Sequence, residues 1–218
     1  MTLKDILISG KFTGNVTIGG AHMSLKDMLI AATLSGGSSP APVANKYITS
    51  DTETTITLPF GPQPTYKITF DLYEGTGGEN FEEVCSYNGA RTGSITVKTQ
   101  SGIEVYRGNW TYFNVNGWAR YTPITQITLD FAAKKLSAIV GGDTYEKVDT
   151  GTWPQSDNPY VLRLSSIKKV KGITVESDGV VIHDLIATDD GGACLKDLVT
   201  GICYYDANST AYLIDDPQ

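Results

Sequence analysis

The sequence has few residues of the kinds that bind metals or form disulfides. Its 218 residues include three cysteines and two histidines, and no cysteines form a Cys-x-x-Cys pair. This composition argues against a structural zinc site, a zinc enzyme and a disulfide scaffold. Cys194 and Cys203 would face each other if a hairpin turned at residues 198–200. Because synthesis in a reducing cytoplasm opposes a cross-strand disulfide, we expect free thiols.

Long apolar runs and an excess of positive charge are also missing. No apolar segment reaches the roughly 20 residues that a membrane-spanning helix needs. The formal net charge is −7, which argues against nucleic-acid binding because phosphate binding needs clustered cations. The first five residues lack the pattern of a signal peptide. We therefore expect a chain that folds in the cytoplasm and does not insert into a membrane.

Residues 1–35 differ in pattern from the rest of the chain. The segment 2–8 returns in similar form at 24–30, and each copy begins with a Thr or Ser that can cap a helical turn. The apolar residues of both copies then fall on one face. They are Leu3, Ile6, Leu7, Leu25, Met28 and Leu29. Between the copies, residues 14–20 are typical of a short strand between glycines.

This N-terminal segment has too little apolar surface to fold alone, since isolated helical turns of this length are not stable in water. We therefore predict an anchoring arm that docks on a partner protein. The alternative is that the arm packs against its own domain. Residues 36–44 form a linker by composition, rich in Gly and Ser first and in Pro after.

From residue 45 onward, apolar and polar residues alternate as they do in half-buried antiparallel strands. We predict strands at 54–58, 66–72, 94–98, 103–106, 124–131, 136–140, 160–164, 173–175 and 180–182. Turn signals such as Gly141-Gly142-Asp143 and Ser177-Asp178-Gly179 separate them. The pattern predicts an all-β domain over 45–218, a sandwich or barrel without a long helix.

No combination of residues predicts catalysis. His183 has no accompanying G-x-S-x-G motif, and the acidic segments 79–83 and 189–190 lack the alternating spacing that a glycosidase carboxylate pair on a strand would show. We expect no enzyme activity. Asp184 and Asp197 are predicted to cap turns. Asp143, Asp189 and Asp190 lie in turns and are candidates for a calcium site, and we expect no other cofactor. The alternative is that these residues are simply solvated, as Asp in turns ordinarily is.

Aromatic residues are concentrated between Tyr106 and Tyr121. Trp110 and Tyr112 share a strand face, Trp118 follows an Asn-Gly turn, and Trp153 lies in a loop. If exposed, these four side chains could stack on sugar rings, so we predict them as glycan-binding candidates. The alternative is that most of the aromatic residues fill the sandwich core.

Three stretches go beyond a generic strand pattern. Residues 127–145 look like the hairpin of laminin-G and concanavalin-like jelly rolls, with Gly-Gly-Asp at the turn. Residues 171–187 resemble a segment of concanavalin-like domains in phage structural proteins, a strand "Y-G-x-K-I-Y" followed by "L-V-R-D-F-V-P". Residues 192–205 resemble the hairpin "G-L-Y-D-x-V-T-G-K-F-Y" of the same domains. Ala187, Lys196 and Ile202 depart from those patterns.

The resemblance implies a concanavalin-like antiparallel β-sandwich in a structural bacteriophage virion protein, such as a head fibre, tail fibre or capsid decoration protein. It implies that the arm binds capsid, neck or tail proteins of the virion. We also expect a homo-oligomer, because an anchoring arm gains from multivalency. The alternative is a lectin-like adhesin that binds glycans of the host surface. A polysaccharide depolymerase is the third interpretation.

Overall fold

The computed structural model describes residues 16–18, 21–23, 46–74, 81–87, 90–98, 102–106, 110–113 and 122–216. The chain divides into two compact units, Met1–Ala44 and Asn45–Gln218. Every regular element in the described part is a strand, and the predicted all-β fold is confirmed. None of the residues described forms a helix with the length and hydropathy needed to cross a bilayer.

The first unit contains a short hairpin. Strand β1 (Val16–Ile18) pairs antiparallel with β2 (Ala21–Met23), with Val16 opposite Met23 and Ile18 opposite Ala21. The strand predicted between the glycines is confirmed as β1. The helical turns predicted on either side of the hairpin, with Leu3, Ile6, Leu7, Leu25, Met28 and Leu29, lie outside the described residues. Their role as anchors therefore stays a prediction.

The second unit is a β-sandwich of two antiparallel sheets. The large sheet has the order β12-β11-β10-β5-β14-β15-β16-β17, and β3 pairs with β14 and β18. Its strands are β3 (Lys46–Thr49), β5 (Tyr66–Glu74), β10 (Ile124–Asp130), β11 (Lys135–Val140), β12 (Asp143–Val148), β14 (Lys168–Ser177), β15 (Val180–Asp189), β16 (Ala193–Asp197), β17 (Cys203–Tyr205) and β18 (Tyr212–Asp215).

The smaller sheet has the order β4-β13-β6-β7-β8-β9. Its strands are β4 (Thr54–Thr57), β6 (Phe81–Tyr87), β7 (Ala90–Lys98), β8 (Gly102–Tyr106), β9 (Trp110–Phe113) and β13 (Tyr160–Leu164). Neighbouring strands of this sheet are antiparallel throughout.

The core forms because alternate residues of each strand point inward. On β5 the buried residues are Ile68, Phe70 and Leu72, and β11 contributes Leu136, Ala138 and Val140. Leu162 and Leu164 of β13 enter the same core from the smaller sheet. Fully burying an aliphatic or aromatic side chain stabilises a fold by about 1.5–3 kcal/mol, so these alternating positions account for the sheets associating face to face.

Two tight turns fix the register of their hairpins. Gly141 and Gly142 have φ of +58° and +89° and connect the paired residues Val140 and Asp143. Asp178 and Gly179 have φ of +50° and +78° and connect Ser177 to Val180. Two successive residues with positive φ match the right-handed twist of the flanking strands. Both turns occur where the sequence predicted them.

Candidate functional site

The outer face of the large sheet carries rows of polar side chains. One row crosses four strands, and each of its residues lies directly opposite the next. In order they are Thr69 of β5, Thr128 of β10, Ser137 of β11 and Glu146 of β12. The Thr69 and Thr128 hydroxyl oxygens are 3.2 Å apart, and Ser137 donates to Glu146 Oε1 at 3.2 Å. The row therefore presents hydroxyls and a carboxylate side by side across four strands.

Charged residues form the adjacent row on the same face. Lys67 lies opposite Asp130, which lies opposite Lys135. Lys135 Nζ lies 3.1 Å from Glu146 Oε1, and Lys67 Nζ lies 3.2 Å from Glu176 Oε1. The hydrogen bond from Lys135, the charge of Lys135 and the hydrogen bond from Ser137 lower the pKa of Glu146. Glu146 is therefore an ionised hydrogen-bond acceptor at neutral pH.

These rows line a groove of about 430 Å³. Its lining consists mainly of hydroxyl, amide, ammonium and carboxylate groups: Lys67, Thr69, Gln126, Thr128, Asp130, Lys135, Ser137, Ala138, Ile139, Thr144 and Glu146. Gln126 is itself oriented by Asp71, to which its amide donates at 2.7 Å. Such a mixture of donors and acceptors suits a polyhydroxylated ligand, which makes this groove the candidate functional site.

A second polar cluster surrounds Asp197, which is fully buried. Its Oδ1 accepts from the backbone N–H groups of Asp184 and Val199, at 3.1 and 3.0 Å. Its Oδ2 accepts from Thr200 Oγ1 at 3.0 Å and lies 2.8 Å from His183 Nδ1. Because an ionised carboxylate can only accept, the ring nitrogen carries the proton. These bonds join the β16–β17 turn to β15, which confirms the turn-capping role predicted for Asp197.

The pKa values of the two carboxyl groups in this cluster, Asp197 and Asp184, are shifted in opposite directions. Burial alone would raise the pKa of Asp197, but the hydrogen bonds from His183, Asp184, Val199 and Thr200 lower it. The pKa of Asp184 is raised by burial first and by the charge of Asp197 second, against a hydrogen bond from Thr174. Asp197 is thus a satisfied structural anion, with its hydrogen-bonding capacity used within the fold.

The expectation that Trp153 is exposed is wrong. Its side chain is 8% exposed, packs edge-on against Phe131 at 5.2 Å between ring centroids, and donates Nε1–H to the Asp149 carbonyl at 3.0 Å. A ring buried in this way offers little surface for stacking on a sugar. Trp110 and Tyr112 are two positions apart on β9, but their side chains and all of Trp118 lie outside what the structure describes.

The three aspartates predicted as calcium candidates lie at two separate turns. Asp143 begins β12, whereas Asp189 ends β15 and Asp190 follows it. Asp189 accepts from the Gly192 N–H at 3.0 Å, and Asp190 accepts from Lys196 Nζ at 2.7 Å. Within the described ranges, no three His, Cys, Asp or Glu residues form a group that could hold a metal ion. Calcium binding stays a prediction.

The groove was missed by reasoning from the sequence. Thr, Gln, Ser and Lys do alternate with apolar residues on β5, β10 and β11, and that signal was visible. What the sequence does not contain is the pairing of β5 with β10, which places Thr69 beside Thr128.

Comparison with known proteins gives no match: no protein-family model and no curated protein matches the chain.

Proposed function

We propose that this chain is a structural protein of a bacteriophage particle, without enzyme activity. Residues 1–35 anchor it to capsid, neck or tail proteins, and the sandwich over residues 45–218 faces outward as a head fibre, tail fibre or decoration domain. The chain is a homo-oligomer in the particle. This proposal rests on the resemblance of residues 127–145, 171–187 and 192–205 to concanavalin-like domains of phage structural proteins.

The observation that carries the proposal is the arrangement of the last two of these segments. They form β14, β15, β16 and β17, four successive antiparallel neighbours in one sheet. The turn at Asp178 and Gly179 has positive φ at both residues, and the β16–β17 turn is held by Asp197. Both segments therefore form hairpins, as the resemblance implies for a concanavalin-like sandwich.

Exposed apolar residues at one end of the large sheet also favour a protein that works in an assembly. Because β15 and β16 are antiparallel, the first residues of β15 and the last residues of β16 lie toward the same end of the sheet. The large apolar residues exposed at this end are Val180, Val181, Leu198, Val199 and Ile202. Several exposed large apolar residues at one end of a sheet favour contacts with another protein.

Deleting residues 1–40 tests the anchoring role. We expect the truncated protein to fold and to be missing from purified particles, because the docking residues are gone. The measurement is mass spectrometry of particles produced with either form of the protein. The matched variant replaces Leu3, Ile6 and Leu7 with Ser in the full-length chain and should be lost from particles too. Retention of both variants would refute the anchoring role.

A second candidate function is glycan binding by an adhesin, and the polar groove favours it. Gln126, Thr128 and Glu146 provide an amide, a hydroxyl and a carboxylate within one groove, a set that can bond to sugar hydroxyls. The test is binding to a glycan array and to host polysaccharide by the wild type and by Gln126→Ala and Glu146→Ala.

We expect both groove substitutions to weaken binding while the melting temperature stays near that of the wild type. Trp110→Ala and Trp118→Ala, tested in parallel, report whether the aromatic candidates contribute. The absence of binding by the wild type would leave decoration as the function. Release of reducing ends from host polysaccharide would instead indicate a depolymerase.

A further inference from the structure

Two of the three cysteines lie on adjacent strands of the same hairpin. Cys194 of β16 lies opposite Tyr205 of β17, and Cys203 of β17 lies opposite Lys196 of β16. The cysteines are therefore offset diagonally, which corrects the expectation that they face each other directly. Residues 194, 196, 203 and 205 share one face of the sheet because side chains alternate along each strand.

The hydrogen-bond pattern places both cysteines where side chains approach closely. Asp197 N–H donates to the Ile202 carbonyl at 2.9 Å and closes the hairpin. Because hydrogen-bonded and non-hydrogen-bonded pairs alternate in antiparallel sheets, the pairs 196–203 and 194–205 are both of the closer, non-hydrogen-bonded kind. Diagonal neighbours on such strands have Cα atoms about 7–8 Å apart, so a disulfide between these two cysteines requires a small shift of the strands at this end of the hairpin. The two side chains influence each other, since Cys203 contributes to raising the pKa of Cys194.

The two thiols differ in exposure and surroundings. Cys203 is partly exposed, and its Sγ lies 3.4 Å from Asp190 Oδ2, the oxygen that also accepts from Lys196 Nζ at 2.7 Å. Cys194 is buried. Tyr205, its neighbour across the hairpin, donates a hydrogen bond from its hydroxyl to the Asp190 carbonyl. Burial first, then the hydrogen bond and charge of Cys203, raise the pKa of Cys194 to about 12. Cys203 is thus the accessible nucleophile, and Cys194 is its buried partner.

We propose that Cys194 and Cys203 form an intramolecular disulfide when the folded chain meets an oxidising low-molecular-weight disulfide. The Cys203 thiolate attacks one sulfur of glutathione disulfide, which releases one glutathione thiolate and leaves a mixed disulfide. Cys194 loses its proton to solvent and attacks Cys203 Sγ, which expels the second glutathione thiolate. Two protein thiols are oxidised and one disulfide is reduced to two thiols, so electrons and atoms balance.

When this disulfide would form in nature depends on the proposed function, whereas the reaction with glutathione disulfide does not. A virion protein made in a reducing cytoplasm keeps its thiols until lysis releases the particle into an oxidising medium. The disulfide would then close the loop 195–202, which carries the exposed apolar residues Leu198 and Val199. It would restrain this end of the sheet only after assembly.

The test incubates the full-length protein with glutathione disulfide under native conditions. Thiol titration after denaturation should fall from three thiols to one, and peptide mapping should show residues 194 and 203 linked, with dithiothreitol reversing both results. Cys85→Ala is the matched control, because buried Cys85 lies on β6 in the other sheet. It should give two thiols before oxidation and none after.

Cys203→Ser should leave both remaining thiols unreacted, because only the accessible nucleophile has been removed. Hydrogen exchange of the oxidised wild type should be slower in residues 195–204 than that of the reduced protein. Three persisting thiols, a stable mixed disulfide at Cys203 or a dimer linked through Cys203 would each overturn the proposal. None of these outcomes would affect the anchoring test, so the two proposals fail separately.

Discussion

At the scale of single residues, the buried carboxylate of Asp197 is the most connected polar group of the β15–β17 region. It accepts hydrogen bonds from two backbone N–H groups, a hydroxyl and the His183 ring. Replacing Asp197 with Ala removes the shared acceptor of these part-buried hydrogen bonds, and a hydrogen bond to a charged group contributes about 1.5–3 kcal/mol. We expect a loss of about 3 kcal/mol in the free energy of unfolding, measured by urea denaturation.

The control for this substitution is Asp143→Ala. Asp143 is an exposed aspartate at the start of β12, so its replacement should change stability by less than about 0.5 kcal/mol. Equal losses for the two variants would mean that the Asp197 bonds contribute nothing beyond an ordinary surface charge.

The opposite pKa shifts of Asp197 and Asp184 predict how stability depends on pH. The lowered pKa of Asp197 means that its contribution is present above the unfolded value, about 3.9, and is lost as the pH falls through the folded value. The raised pKa of Asp184 acts in the other direction: its contribution is present below the unfolded value and is lost as the pH rises through the folded value.

Urea denaturation at a series of pH values distinguishes the two carboxyls. Asp197→Asn should show a shallower loss of stability toward acid than the wild type. Asp184→Asn should lose less stability than the wild type as the pH rises from acid to neutral. Parallel pH curves for all three proteins would contradict the assignment of these shifts.

At the scale of elements, the two hairpin turns that the sequence predicted depend on residues with positive φ. Gly179 has φ of +78°, where a Cβ atom costs about 1–2 kcal/mol. Gly179→Ala should therefore destabilise the protein by about 1 kcal/mol in thermal or urea unfolding. Asp178→Gly, at the neighbouring residue with φ of +50°, removes such a cost and should leave stability close to that of the wild type. Equal stability of the two variants would show that the turn does not limit the hairpin.

Strands with clear alternation were predictable, and strands without it were not. β11 is buried at every second residue and was predicted nearly residue for residue. β12, at the edge of the large sheet, is exposed at five of its six residues and carries no apolar alternation to detect. β6 was also missed, because its pairing with β7 shifts register twice and Val84, Cys85 and Ser86 are buried in succession.

In the polar clusters too, features that depend on local sequence were predicted, and features that depend on contacts between distant segments were missed. The role of Asp197 depends on a local turn, where an Asp two residues before the N–H that it binds is a sequence signal. The burial of Trp153 depends on Phe131, and the groove depends on β5 meeting β10. These contacts join distant parts of the chain, and local patterns carry no information about them.

At the scale of the whole molecule, the described core belongs to the second unit alone. All the buried residues of the hydrophobic cluster lie between Ile48 and Leu195, within Asn45–Gln218. A domain that contains its own core should fold independently. We therefore expect residues 45–218, expressed alone, to unfold cooperatively with a melting temperature within a few degrees of that of the full chain, measured by circular dichroism and calorimetry.

A variant with a cavity in the core of the same truncated protein provides a reference loss of stability, with which the effect of the truncation can be compared. Phe70 is fully buried on β5 at the centre of the large sheet, and Phe70→Ala should lower the free energy of unfolding by about 3–5 kcal/mol. If the truncation alone cost as much as this cavity, residues 1–44 would be part of the sandwich's own folding unit. The arm would then pack against its own domain, and the anchoring role would lose its physical basis, because the apolar turns would already be buried.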